Sequence, residues 1–372
     1  MSKMQQMGKA KAYTLFLRVL NSGKAIYYYQ YRDEYGRRQP AKSTGCTSLA
    51  KAKRYCQKLF NENVFSPSPS MKFEVFVRNF FAEDSEYCKW RVINGHAVKP
   101  ETIRRYNISM KCQILPFFEE MPLNKISSST VKDWILWAYG RWAPKTINNA
   151  QGTLNLIFEA AVDKNLIAKN PLDKIPLRKI QKKKRELLTV EEIKTIYNSH
   201  WAKDIERKAF LLAACTGMRI GEIVALSYSV IHDTYIDVKS TLTEHFGIGS
   251  TKTNVSRYVP IPDNFPFPQS NSKWVFESSK GKEPMKSHCV YNATMRICKK
   301  LGIDTVKRGI TVHSLRNFFI SYLRSKNVTE AKIRAVVGHA DETMTDVYTY
   351  WKPDMFPEVY AAQKELFLLI TK

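Results

Sequence analysis

The chain has 372 residues, 44% of them hydrophobic and 12% aromatic, enough for two or three domains with separate cores and too much for wholesale disorder. Its 59 Lys plus Arg against 34 Asp plus Glu leave a net charge of +25 along the whole length, which points to an extended polyanionic partner, nucleic acid first. Seven scattered cysteines without a Cys-x-x-Cys pair argue against a disulfide framework or a zinc site, and no apolar run suggests a signal peptide or a membrane span. No cofactor is indicated, and a reducing cytoplasm is the expected compartment.

Residues 1 to 65 form the first predicted unit. Tyr13 to Val19 and Ile26 to Arg32 are rich in β-branched and aromatic residues and flank Asn21-Ser22-Gly23, which is a hairpin signal. A third strand is expected to end near Thr44-Gly45, and Ser48 to cap a helix beginning about Ala50. With about 13 basic and 3 acidic residues, this three-stranded sheet on one helix suits a DNA groove. Residues 66 to 70, Ser-Pro-Ser-Pro-Ser, read as a linker, because neither a helix nor a sheet continues through them.

From 71 to 169 the apolar spacing turns helical. Phe73, Phe76, Val77, Phe80 and Phe81 form one stripe; Ile103, Tyr106, Met110, Ile114 and Phe117 a second; Val131, Trp134, Ile135 and Ala138 a third; and Ile147 through Val162 a fourth. Four such helices predict a bundle, with Lys99, Arg104, Arg105, Lys111, Arg141 and Lys145 off the stripes, either on a solvated face or against phosphates. Residues 170 to 185 break the pattern with Asn170-Pro171 and Ile175-Pro176. They end in a cationic strap, Lys182 to Arg185, suited to following a DNA backbone.

Residues 186 to 372 predict a mixed α+β domain. Thr189 to Glu192 is a capping box, Glu206 to Cys215 a helix stopped by Thr216-Gly217, and Thr234 to Ile261 a short sheet. Helices are expected at 287 to 301, 314 to 326, 329 to 337 and 355 to 370. The fold class is therefore multidomain and mainly α with small β-sheets.

Four places in this last domain carry chemistry. Arg219 stands at a helix start with Glu222 three residues on, and His313 and Arg316 share a helix face. Lys252 lies at a predicted β-turn, with Lys239 a nearby alternative. His339 and Tyr348 lie nine residues apart, and Tyr350 is a rival phenol. Each residue alone is ordinary. Together, two arginines, a lysine, two histidines and a tyrosine suit in-line transfer of a phosphodiester to a tyrosine. Guanidinium forks match the extra charge on the non-bridging oxygens, and a lysine can protonate the departing 5′-oxygen.

Thr216-Gly217-Met218-Arg219-Ile220-Gly221-Glu222, His313-Ser314-Leu315-Arg316 and Gly338-His339 with Tyr348 resemble the signature of the tyrosine recombinase, or phage-type integrase, family. Asn165 to Pro171 is similar to the close of that family's core-DNA-binding helical domain, and Thr251-Lys252-Thr253 with Arg257 to Ile261 to its hairpin lysine region. Residues 1 to 65 resemble the arm-site-binding domain of phage and conjugative-transposon integrases.

The resemblance implies a recombinase that integrates or excises a mobile element. Tyr348 would form a 3′-phosphotyrosine, Arg219 and Arg316 would clamp the scissile phosphate, and Lys252 would act as general acid. His313 and His339 would assist, and Glu222 would orient Arg219. It implies a homotetramer on double-stranded DNA at core and arm sites, open to accessory bending proteins, and a terminal helix that docks on a neighbouring protomer, where the apolar face by itself would equally suit packing on its own domain. A type IB topoisomerase-like enzyme and a silent DNA-binding regulator are the alternatives.

Overall fold

The computed structural model describes residues 13–20, 22–31, 38–61, 71–181, 185–250, 256–270, 272–338 and 351–372. The chain divides into two compact units, Met1–Gln181 and Lys182–Lys372.

In the first unit, β1 (Tyr13–Val19) and β2 (Ala25–Tyr31) pair antiparallel with Tyr13 opposite Tyr31 and Val19 opposite Ala25, and β3 (Lys42–Ser43) joins the free edge of β2. Helix α1 (Leu49–Asn61) covers one face, where Tyr29 and Cys56 are buried together. The other face is wet and aromatic. Phe16 and Tyr28 stack across the strands there, and Arg18 lies over the Tyr28 ring.

Next come α2 (Phe73–Val77), α3 (Glu86–Ile93), α4 (Pro100–Ser109), α5 (Leu115–Phe118), α6 (Ser128–Ala138) and α7 (Pro144–Asp163). The first predicted stripe is not one helix. It stops at Val77, and Asn79 turns to φ 61, so Phe80 and Phe81 reach the core from a turn. The second stripe is continuous but passes through a π-helical segment, Met110–Ile114, just ahead of Pro116. A proline there has no N–H to give and crowds the carbonyl four residues back, and the widened turn relieves that clash. Trp134 is fully buried and donates its indole N–H to the Gln113 carbonyl at 2.8 Å, pinning α6 to this segment.

The second unit is built on α9 (Asp204–Thr216), whose residues from Ala209 to Thr216 are all buried. Before it, α8 (Val190–Asn198) opens on the predicted Thr189/Glu192 capping box. After it come α10 (Ile220–Val224), β4 (Tyr235–Val238), β5 (Ser240–Thr243), β6 (Gly247–Ser250) and β7 (Arg257–Pro260). The predicted single sheet is two separate ribbons, β4 with β7 and β5 with β6. Four helices, α11 (Ser287–Lys300), α12 (Thr305–Arg308), α13 (His313–Ser325) and α14 (Glu330–Val337), lead to the terminal α15 (Pro357–Thr371). That last helix packs on α8 and α9 of its own unit, burying Val359, Leu366 and Ile370. Among the described residues no helix is long and apolar enough to cross a membrane.

Gly217 ends α9 at φ 62, and a Cβ there would come within 2.5 Å of the Phe319 ring. Both the left-handed backbone and the buried ring demand glycine. Gly217→Ala is expected to destabilise this unit by about 2 kcal/mol or more, read as a lower denaturant midpoint in the full chain.

Candidate active site

Gly217 releases the chain from α9 and Arg219 becomes the N-cap of α10, so its side chain points back across the start of that helix. Glu222, one turn on, is 1% exposed. Its carboxylate accepts the Arg219 backbone N–H at 2.9 Å and the Arg219 Nη1 at 2.8 Å. The remaining arm of Arg219, Nη2, donates to the Gly338 carbonyl at 3.1 Å. A second arginine, Arg257 at the head of β7, grips the same carboxylate with both Nη atoms, at 3.2 and 2.6 Å. Burial works to raise the Glu222 carboxyl, but the bonds and charge of Arg257, with the bonds of Arg219, outweigh it and hold the group below the ordinary carboxylate range.

Arg316 lies on α13, 2% exposed, and donates Nη1 to the Gly217 carbonyl at 3.0 Å. Its other terminal nitrogen, Nη2, is buried with no hydrogen-bond partner among the described residues. Burial, then the charges of Arg219 and Arg257, push its guanidinium down to about 9, so it is still cationic at neutral pH. A buried cation with an unanswered donor and like charges beside it is strongly disposed to an anion. Three guanidiniums and one carboxylate leave this cluster at net +2.

His313 begins α13, one turn before Arg316. Burial first, then the charges of Arg316, Arg219 and Arg185, lower its pKa below the ordinary 6.5, so the imidazole is neutral at pH 7 and able to accept a proton. The folded value is the depressed one, so folding resists protonation, and the neutral form is lost only as the pH falls beneath that ordinary value. The stability of this unit is therefore expected to hold steady above neutral pH and to fall as the pH drops below that ordinary value, read as a denaturant midpoint against pH. His313→Gln should lessen that acid fall in the midpoint.

Arg219, Glu222, His313 and Arg316 are thus brought together. Lys252, His339 and Tyr348, with the rival Tyr350, lie outside the described residues. Lys239, the alternative to Lys252, pairs with Asp237 at 2.6 Å on an exposed side chain. Sequence spacing does not mark Arg257 as a site residue. Its partners Glu222 and Val336 are 35 and 79 residues away, and only its place at the head of a strand in the hairpin region marks it. Among the described residues no cluster of His, Cys, Asp and Glu is suited to hold a metal ion. In the helical part of the first unit Lys99, Arg105, Lys111, Arg141 and Lys145 are exposed, while Arg104 pairs with Glu101 at 3.2 Å.

Residues 186–354 match the phage integrase family, and residues 90–136 match the phage integrase N-terminal SAM-like domain. The chain is similar to the prophage ps2 probable integrase of Lactococcus lactis subsp. lactis, at 24% identity across 92% of this chain and 97% of the relative. It is also similar to the tyrosine recombinase XerD of Halalkalibacterium halodurans, at 25% identity across 59% of this chain and 75% of the relative. Among solved structures, a lambda integrase dimer bound to a COC' core site aligns with a TM-score of 0.56 and 19% identity, covering 90% of this chain and 96% of that one. The Tn1549 transposon integrase in complex with transposon right end DNA aligns with a TM-score of 0.58 and 21% identity, covering 72% and 95%. At these identities the structural likeness shows the fold.

Proposed function

We propose, from the premise that this chain belongs to the phage integrase family and is a tyrosine-type site-specific DNA recombinase, that Tyr348 is its nucleophile and that Arg219 and Arg316 hold the phosphate it attacks. The observation that carries this is the buried Arg316 with its unanswered Nη2, set beside Arg219 in a cluster of net positive charge.

The Tyr348 oxygen attacks phosphorus, a 3′-phosphotyrosine forms, and the bond to the 5′-oxygen breaks. Lys252 gives that oxygen its proton. The neutral imidazole of His313 takes the phenolic proton or binds a phosphate oxygen, and His339 assists. Two forked guanidiniums match the charge that builds on the non-bridging oxygens, and each such donor supplies about 3 kcal/mol. The phosphotyrosine conserves the energy of the broken bond, so the 5′-hydroxyl of a second strand reverses the step and joins new ends.

Residues 186–372 are the catalytic domain, 71–169 grip the core site, and 1–65 bind arm-type sites through the face bearing Phe16, Arg18 and Tyr28, with linkers at 66–70 and 170–185. The substrate is double-stranded DNA of a mobile element. The working form is a homotetramer on that DNA, in the cytoplasm, with accessory bending proteins as possible partners. The similar lambda integrase, solved as a tetramer bound to a Holliday junction, supports the assembly.

The deciding experiment is covalent trapping on a nicked duplex whose cleaved fragment diffuses away, followed by peptide mapping of the adduct. A phosphotyrosine at residue 348 is the expected result. A wild-type protein that binds the duplex and forms no adduct would make the silent regulator the better reading.

A further inference from the structure

Arg257 is almost wholly buried, with 9% of its side chain exposed, and every nitrogen of its guanidinium is used. Nη1 and Nη2 bind the Glu222 carboxylate, and Nε donates to the Val336 carbonyl at 2.8 Å. Each oxygen of Glu222 therefore carries one bond from Arg257 and one from Arg219. The two arginines differ in exposure. The Arg219 side chain is 28% exposed, so it alone keeps an edge facing outward.

A buried carboxylate needs a buried counter-charge. Were Arg219 its only partner, that arginine would have to turn inward to neutralise it. Arg257 meets that need from the inner side, and Glu222 then aligns Arg219 without absorbing it.

The same two arginines also hold the end of α14. Arg257 takes the Val336 carbonyl and Arg219 the Gly338 carbonyl. Gly338 closes that helix at φ 69, and a Cβ on it would lie 3.0 Å from Arg257 Cδ and Nε and 3.1 Å from Cζ. The glycine backbone runs directly against the guanidinium, and a Cβ would fit only if Arg257 gave way by a few tenths of an ångström.

We infer that Arg257 is a positioning residue for strand cleavage: it neutralises Glu222, leaves the outer edge of Arg219 for the phosphate, and ties the end of α14 to the same carboxylate. This rests on the recombinase mechanism proposed above. Arg257 touches no reacting atom. It sets the geometry of one that does, so its loss slows the chemical step and spares DNA affinity, which comes from phosphate contacts elsewhere.

The test is single-turnover cleavage by the full chain with two duplexes, one with the natural 5′-oxygen at the scissile bond and one with sulfur in its place. The thiolate departs without protonation, its conjugate acid having a pKa of roughly 8.5. Arg257→Ala is expected to slow cleavage of both duplexes on the order of 100-fold, with affinity in a mobility-shift assay kept within about threefold. Arg257→Lys keeps the charge, and the fold if the alanine variant loses it. One ammonium cannot span both Glu222 oxygens and the Val336 carbonyl, so this variant should stay at least about tenfold slow.

Wild-type rates in Arg257→Lys would overturn the proposal, because charge alone would then suffice. So would affinity falling in step with rate. Restoration of Arg257→Ala by the sulfur duplex would also overturn it, assigning Arg257 to leaving-group protonation through the neighbouring hairpin. A wild-type protein that cleaves neither duplex would instead sink the mechanism underneath.

Discussion

Tyr348→Phe is expected to lower covalent adduct formation by at least about four orders of magnitude, while duplex affinity changes by less than about twofold. The substitution removes a single oxygen and keeps the ring, so packing is preserved. A phenol with a pKa of about 10 is less than about 1% ionised at neutral pH, and its reactivity depends on what receives its proton and what stabilises the charge on phosphorus. His313, held neutral by burial and by three arginines, is suited to the first task. Arg316, buried with an open donor, is suited to the second. Affinity is insensitive because it is spread over the +25 of the whole chain. Tyr350→Phe is the matched control and should leave the adduct intact. An adduct that survives Tyr348→Phe and vanishes with Tyr350→Phe would move the nucleophile two residues along, and SDS-resistant complexes on a nicked duplex read both outcomes.

Most of the local architecture was legible because short-range rules govern it. Gly217 stops α9 where the sequence places a helix end, the Thr189/Glu192 capping box forms, and the three-residue spacing of Arg219 and Glu222 brings guanidinium and carboxylate together. Where local signals compete, apolar spacing misleads. Phe80 and Phe81 continue a helical apolar spacing, yet Asn79 leaves the helical region and the core is filled from a turn. Pro116 sits inside a sound stripe and is accommodated by a π-helical segment that no periodicity reports. Arg257 was invisible for a different reason. Its partners come from α10 and α14, and contacts at such separation leave no trace in spacing. The terminal helix packs on its own unit, one of the two placements that its apolar face left open.

Glu222→Ala is expected to destabilise the Lys182–Lys372 unit by about 3–5 kcal/mol at neutral pH, the usual consequence of removing one partner from a buried ion pair. The cost comes chiefly from what remains. Arg257, 9% exposed, would face Arg219 and the buried Arg316 with no anion between them, three guanidiniums in one place. The pH dependence follows from the direction of the Glu222 shift. Its folded pKa lies below the ordinary 4.5, so its stabilisation is fully present above that value and drains away as the pH falls through the folded value. The gap between wild type and Glu222→Ala in denaturant midpoint should therefore be widest at neutral pH and narrow in strong acid. Glu222→Gln separates charge from shape, since the amide keeps one oxygen that accepts from both arginines but turns donor N–H groups on the second bond from each. It should fold better than the alanine variant and still cleave slowly. A Glu222→Ala protein as stable as wild type at neutral pH would mean that the arginines do not need the carboxylate, and both the alignment of Arg219 and the positioning role of Arg257 would fall with it.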